Sequence, residues 1–162
     1  MIVLTSDMTM DELEAIVKNC KKNKSPGLDG LGYEFYQVTF DIIKEDLLLV
    51  FKSQLLKKEI IESDRSGVAL LCPKVKGVPS VEELRPITLL NCDFKILSKW
   101  LVSRLWPVLP KIIKSSQLCT VEKRNILFGI TNVLSTIIEV NEKKSHACLI
   151  SLDFYKAYDR VY

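Results

Sequence analysis

Four side chains could carry phosphate chemistry. Asp153 ends the apolar run Ala147–Leu152, and Asp159 follows six residues later. A carboxylate at a strand end is held in direction by the strand and opens toward solvent. Mg2+ favours one or two such carboxylates, with waters and substrate phosphates filling its remaining positions. Two-metal phosphoryl transfer needs more than one acidic residue at that point in space. The competing reading of Asp153 is a plain cap for the helix that follows. The other two side chains are Lys74 and Arg85, on either side of a turn rich in Pro and Gly. Arg can grip a triphosphate bidentately while Lys acts as a point charge. Here the competing reading is an ordinary solvated hairpin.

Elements must place these groups. Val68–Leu71, the turn around Pro73, Gly77 and Pro79, and the segment RPITLLN read as a β-hairpin with Lys74 and Lys76 at its bend. Pro86 biases Arg85 toward an extended backbone. Ala147–Leu152 reads as a buried strand.

Helical periodicity covers much of the rest. Thr9-x-x-Glu12 is a capping-box pattern, and Leu13, Ile16, Val17 and Cys20 follow it at helical spacing. The turn residues Pro26, Gly27, Gly30 and Gly32 make SPGLDGLGYEFY a loop. Ile43, Leu47, Val50, Phe51 and Leu55 mark a second helix from Phe40 to Leu56, and ESDRSG breaks the pattern after it. Phe94, Leu97, Leu101, Leu105 and Val108 form a third stripe, and Ile126 to Ile138 a fourth. Lys18, Lys21, Lys22 and Lys24 make the end of the first helix basic. They either complement the helix dipole or face a phosphate.

Composition narrows the function classes. The 162 residues are 48% hydrophobic and 27% charged, with net charge +3, which suits a packed core and permits a nucleic-acid partner without requiring one. Five cysteines, none in a Cys-x-x-Cys pair, argue against zinc and against a disulfide framework, and buried reduced thiols are expected. His146 has no partner at metal or triad spacing. The opening residues lack the features of a signal peptide, and no run approaches the roughly 20 apolar residues of a membrane span. These features read as an intracellular protein with no membrane association.

Five blocks, in order, carry a resemblance: KSPGLDGLGYEFY, LLCPKVKG, LRPITLLNCDFKILSKWLVSRL, SSQ and LISLDFYKAYDRVY. From Lys24 to Tyr162 the chain resembles the reverse transcriptases of non-LTR (LINE-type) retrotransposons. The resemblance implies an α+β fold, the fingers and first part of the palm of a right-hand polymerase. Residues 1–146 would be a fingers-like helical region with its hairpin near 68–90, and 147–162 the truncated start of the palm. It implies that Arg85, with Lys74 nearby, holds the incoming triphosphate. Gln117 and Arg124 would line the template and primer path. Asp153 would be the catalytic, metal-binding aspartate, with the Phe154 backbone beside the triphosphate. Tyr158 would exclude a ribose 2′-OH, and Asp159 would be structural. The implied partners are an RNA template, a DNA primer, a deoxynucleotide and Mg2+, in the cytoplasm and nucleus.

The family's later aromatic-Ala-Asp-Asp motif does not occur in these residues, so the chain by itself is expected to lack polymerase activity. After Gln117 the family shows Gly-Phe and then Gly-Arg, where this sequence runs Leu118, Cys119, Thr120, Val121, Glu122, Lys123 and Arg124. Three function classes follow. A reverse-transcriptase fragment would extend primers when complete. A catalytically dead nucleic-acid-binding remnant would bind RNA in a salt-dependent way without metal. An inert relic would do neither.

Overall fold

The computed structural model describes residues 4–74 and 77–154. Lys76, Tyr158 and Asp159 therefore lie outside the described residues. The chain forms two compact units, Met1–Val108 and Leu109–Tyr162. The division falls inside the segment expected to be one fingers-like region.

The first unit begins with α1 (Met10–Lys18). Its capping box is complete: Thr9 Oγ1 accepts from the Glu12 N–H, and Glu12 Oε2 accepts from the Thr9 N–H. Leu13, Val17 and Cys20 are buried as the periodicity predicts. Helix α2 runs from Tyr33 to Lys57, seven residues earlier than expected. The turn-forming residues stop at Gly32, so Tyr33, Tyr36 and Phe40 are free to line one helical face in the core. Val50, assigned to the inner stripe, is exposed instead. ESDRSG is not wholly a break, since Glu62–Arg65 makes one turn of helix, α3, and buries Asp64.

Strands β1 (Val68–Pro73) and β2 (Leu84–Leu89) pair antiparallel as the hairpin expected from sequence, joined through a 3-10 turn at Val81–Glu83. They form the two-stranded sheet of the described residues. Helix α4 (Cys92–Leu105) turns a different face inward from the one expected. Cys92, Ile96, Trp100 and Arg104 are buried at four-residue spacing together with Leu97, while Leu101 and Leu105 are exposed. The reason is Arg104. Its guanidinium meets Glu12 and the Ser6 and Asp7 carbonyls, and it stacks 4.3 Å from the Trp100 ring. A paired, hydrogen-bonded charge can be buried, and the neighbouring apolar residues then rotate outward. Met8, Leu13, Val17, Tyr33, Tyr36, Phe51, Cys92, Ile96 and Trp100 make the core of this unit. Full burial of each large side chain contributes about 1.5–3 kcal/mol.

The second unit holds α5 (Leu109–Ile112) and α6 (Ile126–Glu142). Asn125 caps α6 by accepting from the Leu127 N–H at 3.0 Å. Ala147–Leu152 forms no strand here, and the residues are exposed. A strand needs a neighbour for its N–H and C=O groups, and no described segment pairs with this one. The expectation of buried thiols also fails in part. Cys20 and Cys92 are buried, Cys72 is half-buried, and Cys119 and Cys148 are exposed; all five are free thiols.

Candidate nucleotide and nucleic-acid site

The hairpin brings Lys74 and Arg85 to one end. Cys72 lies opposite Arg85 in the register, and the Lys74 N–H donates to the Glu83 carbonyl at 2.9 Å. Both side chains are exposed. The turn between them is fixed by Ser80, whose N–H and hydroxyl both donate to Glu83 Oε2, at 2.9 and 3.1 Å. Those bonds, with the Lys74 charge adding to them, hold the Glu83 carboxyl below the usual carboxylate range. Ser80 and Glu83 thus hold the β2 side of the turn.

The SPGLDG loop is fastened to the start of α4. A Cβ on Gly27 would stand 2.2 Å from Asn91 Oδ1 and 2.4 Å from the Asn91 nitrogen, so only glycine lets the loop lie there. Asn91 is buried and bridges two segments. Its Oδ1 accepts from the Asp29 N–H at 3.4 Å, and its Nδ2 donates to the Ser63 carbonyl at 3.3 Å. Lys95 Nζ adds a bond to the Ser25 carbonyl at 3.2 Å.

Beside this loop is an open groove of about 730 Å3, lined among others by Ile16, Asn19, Lys21, Lys24, Tyr33 and Lys99. Two of the four lysines noted at the end of α1 therefore face a concave surface. Lys18 pairs with Glu14 on its own helix. Lys99 lies 4.2 Å over the Tyr33 ring, and its Nζ bonds Cys20 Sγ at 3.1 Å. Burial pulls the Lys99 pKa down, while Cys20 and Tyr33 more than offset that and leave it above the usual lysine value.

In the second unit Gln117 and Arg124 share one turn. The Arg124 guanidinium donates to the carbonyls of Pro110 (3.1 Å), Ile113 (2.8 Å), Lys114 and Gln117 (2.8 Å). It braces the backbone from α5 to Gln117. Thr120 and Lys123 sit in the left-handed region, with φ of 60° and 63°. Asp153 and Phe154 are exposed and lie outside any helix or strand. Among the described residues no group of three or more His, Cys, Asp or Glu side chains could hold a metal. Asp153 alone does not complete a divalent-metal clamp.

Sequence reasoning missed Asn91, Gly27 and the Lys99–Cys20–Tyr33 contact. Asn91 closes the LRPITLLN block, and Gly27 closes a Pro-Gly pair, so both carried a local signal. The contact joins residues 79 apart and carried none.

Comparison with known proteins shows the family. The family model described as Reverse transcriptase (RNA-dependent DNA polymerase) matches residues 72–162, a span holding every site residue expected from the sequence. The chain belongs to that family. It is 34% identical over 158 residues to the "Transposon TX1 uncharacterized 149 kDa protein" of Xenopus laevis, a match covering 98% of this chain and 12% of that protein. It is 29% identical over 171 residues to the "Retrovirus-related Pol polyprotein from type-1 retrotransposable element R1" of Bradysia coprophila, covering 98% and 16%. Within the family it is a reverse-transcriptase segment of the non-LTR, LINE-type elements. The chain spans less than a fifth of the length of these relatives. The family as a whole is one of metal-dependent polymerases acting on nucleic acid. No described helix is long and apolar enough to cross a membrane.

Proposed function

We propose that this chain supplies the fingers and the start of the palm of an RNA-directed DNA polymerase. In this reading Lys74 and Arg85 hold the triphosphate of an incoming deoxynucleotide, and Gln117 lies on the template and primer path. Asp153 contributes one carboxylate toward Mg2+, the Phe154 backbone borders the triphosphate, and Tyr158 screens the sugar 2′ position. The observation that carries the reading is the hairpin end, where Ser80 and Glu83 fix a bend that presents two exposed cations within the matched span. Arg124 belongs to the same path and acts there through the backbone. Its four bonds to backbone carbonyls suit it to hold Gln117 in place.

The groove lined by Lys21, Lys24 and Lys99 supports a second reading, in which this piece grips an RNA backbone whether or not it performs chemistry. Photo-crosslinking of an azido-deoxynucleotide triphosphate to the purified chain separates the two. Labelling should fall on the hairpin and drop at least about tenfold in a Lys74→Ala, Arg85→Ala double variant, the scale of one lost charge-assisted contact or more. Unchanged labelling in that variant would sink the triphosphate role. Salt-dependent RNA binding without any hairpin labelling would favour the second reading.

A further inference from the structure

Cys20 and Lys99 meet where the end of α1 faces α4. Cys20 Sγ accepts from Lys99 Nζ at 3.1 Å, and the thiol reaches the Ile16 carbonyl at 3.3 Å. The sulfur is almost wholly buried, but Lys99 lines the open groove beside it. The groove gives a small molecule access to Lys99, and the 5% of Cys20 left exposed is the surface a peroxide must reach. The Tyr33 ring, 4.2 Å from Nζ, holds the ammonium over the sulfur. All five cysteines are free thiols, and the buried Cys92 is near enough to feel the Cys20 charge, so a Cys20–Cys92 disulfide is the competing product.

We propose that this pair is a modification site, at which hydrogen peroxide joins Cys20 to Lys99 through a covalent S–N bond. The steps balance. In the ion-paired form, the thiolate attacks peroxide. The S–O bond forms, the O–O bond breaks, and the departing hydroxide takes a proton from the ammonium to become water. That leaves a sulfenic acid beside a neutral amine. The amine nitrogen then attacks sulfur, the S–N bond forms, and the S–O bond breaks. The second hydroxide leaves as water with a proton from nitrogen. Sulfur loses two electrons overall and peroxide gains them. The thiol, the amine and one peroxide become a sulfenamide and two waters. Sulfenic acids condense with nitrogen in this way when the nitrogen is held close. The bond removes the Lys99 charge from the groove and ties α1 to α4 until a thiol reductant cleaves it.

The test is mass spectrometry of the full chain after graded hydrogen peroxide. The expected product is a linked peptide pair holding Cys20 and Lys99, about 2 Da lighter than the sum of the two peptides and cleaved by dithiothreitol. The exposed Cys119 and Cys148 should gain oxygen instead. Lys99→Arg should abolish the linked pair and leave Cys20 as a sulfenic or sulfinic acid. Fragment sequencing of the wild-type product locates the bond even if that variant fails to fold. Cys20 recovered only in unlinked oxidised peptides would overturn the proposal. So would a linked product about 14 Da heavier, which carries an oxygen between sulfur and nitrogen.

Discussion

The two compact units spend their apolar residues in opposite ways. In Met1–Val108, helices α1, α2 and α4 each bury one face, and Phe51, Leu13, Met8, Ile96 and Cys92 are fully enclosed. In Leu109–Tyr162, the 17-residue helix α6 buries no residue at all. Ile126, Leu127, Phe128, Ile130, Leu134 and Ile138 are each at least half exposed, as are Leu149, Ile150, Leu152 and Phe154. The helical periodicity of α6 is stronger than that of α2 or α4. A good stripe therefore reports which face wants burial, and only the partner decides whether burial happens. The first unit holds its own partners. The second is kept in shape by polar devices, the Asn125 cap and the Arg124 carbonyl brace.

The sharpest way to break this contrast is a matched pair of truncations. Phe51→Ala should cost about 3–5 kcal/mol, since it opens a cavity in a closed core. Phe128→Ala, at a ring 63% exposed, should cost under about 1 kcal/mol. Urea unfolding followed by tryptophan fluorescence reads the first unit, which holds both Trp100 and Trp106, and hydrogen exchange of the α6 amides in urea reads the second. Equal effects of the two substitutions on their own units would erase the distinction.

Next in size is a pH effect confined to the first unit, in which two carboxyls pull in opposite directions. Hydrogen bonding to Arg104 is the main cause that lowers the Glu12 pKa to about 2, despite partial burial. Its stabilisation is present above the unfolded value and is lost as pH falls through about 2. Asp64 is the reverse. Burial first, and then the Asp93 charge, raise it to about 6. The folded state therefore holds that proton more tightly than the unfolded state. Stability is greatest below the unfolded value of 3.8 and is lost as pH rises through about 6. The first unit should be most stable near pH 4. Asp64 Oδ1 and Gln54 Oε1 are buried without a partner, so Asp64→Asn also supplies a missing donor. The variant should gain about 2 kcal/mol at pH 7 and flatten the decline between pH 4 and 6. Melting temperatures measured across that range check both points, and an unchanged slope would refute the assignment to Asp64.

The smallest effect sharpens the other side of the contrast. Lys123 occupies the left-handed region at the position where the family resemblance implies a glycine. Lys123→Gly should stabilise the second unit by up to about 1 kcal/mol, because a side chain there is strained. Hydrogen exchange of the α6 amides gives the reading, and faster exchange in the variant would show that the Lys123 side chain contributes more than its backbone costs.

Local chemistry made much of the fold legible in the sequence. The Thr9–Glu12 box, the stop at Gly27–Gly32, the hairpin and its Lys74–Arg85 end all follow from neighbours in the chain. Whatever depended on distant partners did not. Arg104 reads as a surface residue until Glu12 arrives, and this one pairing turned the α4 stripe. Ala147–Leu152 has a strand's composition but no paired neighbour among the described residues. The groove uses Lys99 from one helix and Lys21 and Lys24 from beyond the end of another, so no window of sequence could contain it. Asp153 was chosen by its neighbours, and among the described residues it joins no metal-holding group of three or more His, Cys, Asp or Glu side chains.

The Arg104 clasp also sets a schedule. Its guanidinium reaches Glu12 across 92 residues of chain. On a ribosome adding ~5–20 residues per second, α1 waits ~5–20 s for that clasp. During this interval the Thr9 box and, once made, α2 hold the helix, and Leu13 and Val17 have no α4 to complete their cover. The nascent first helix is then a natural client for a chaperone that binds short apolar stripes, and the arrival of Arg104 is the moment that ends its need for one.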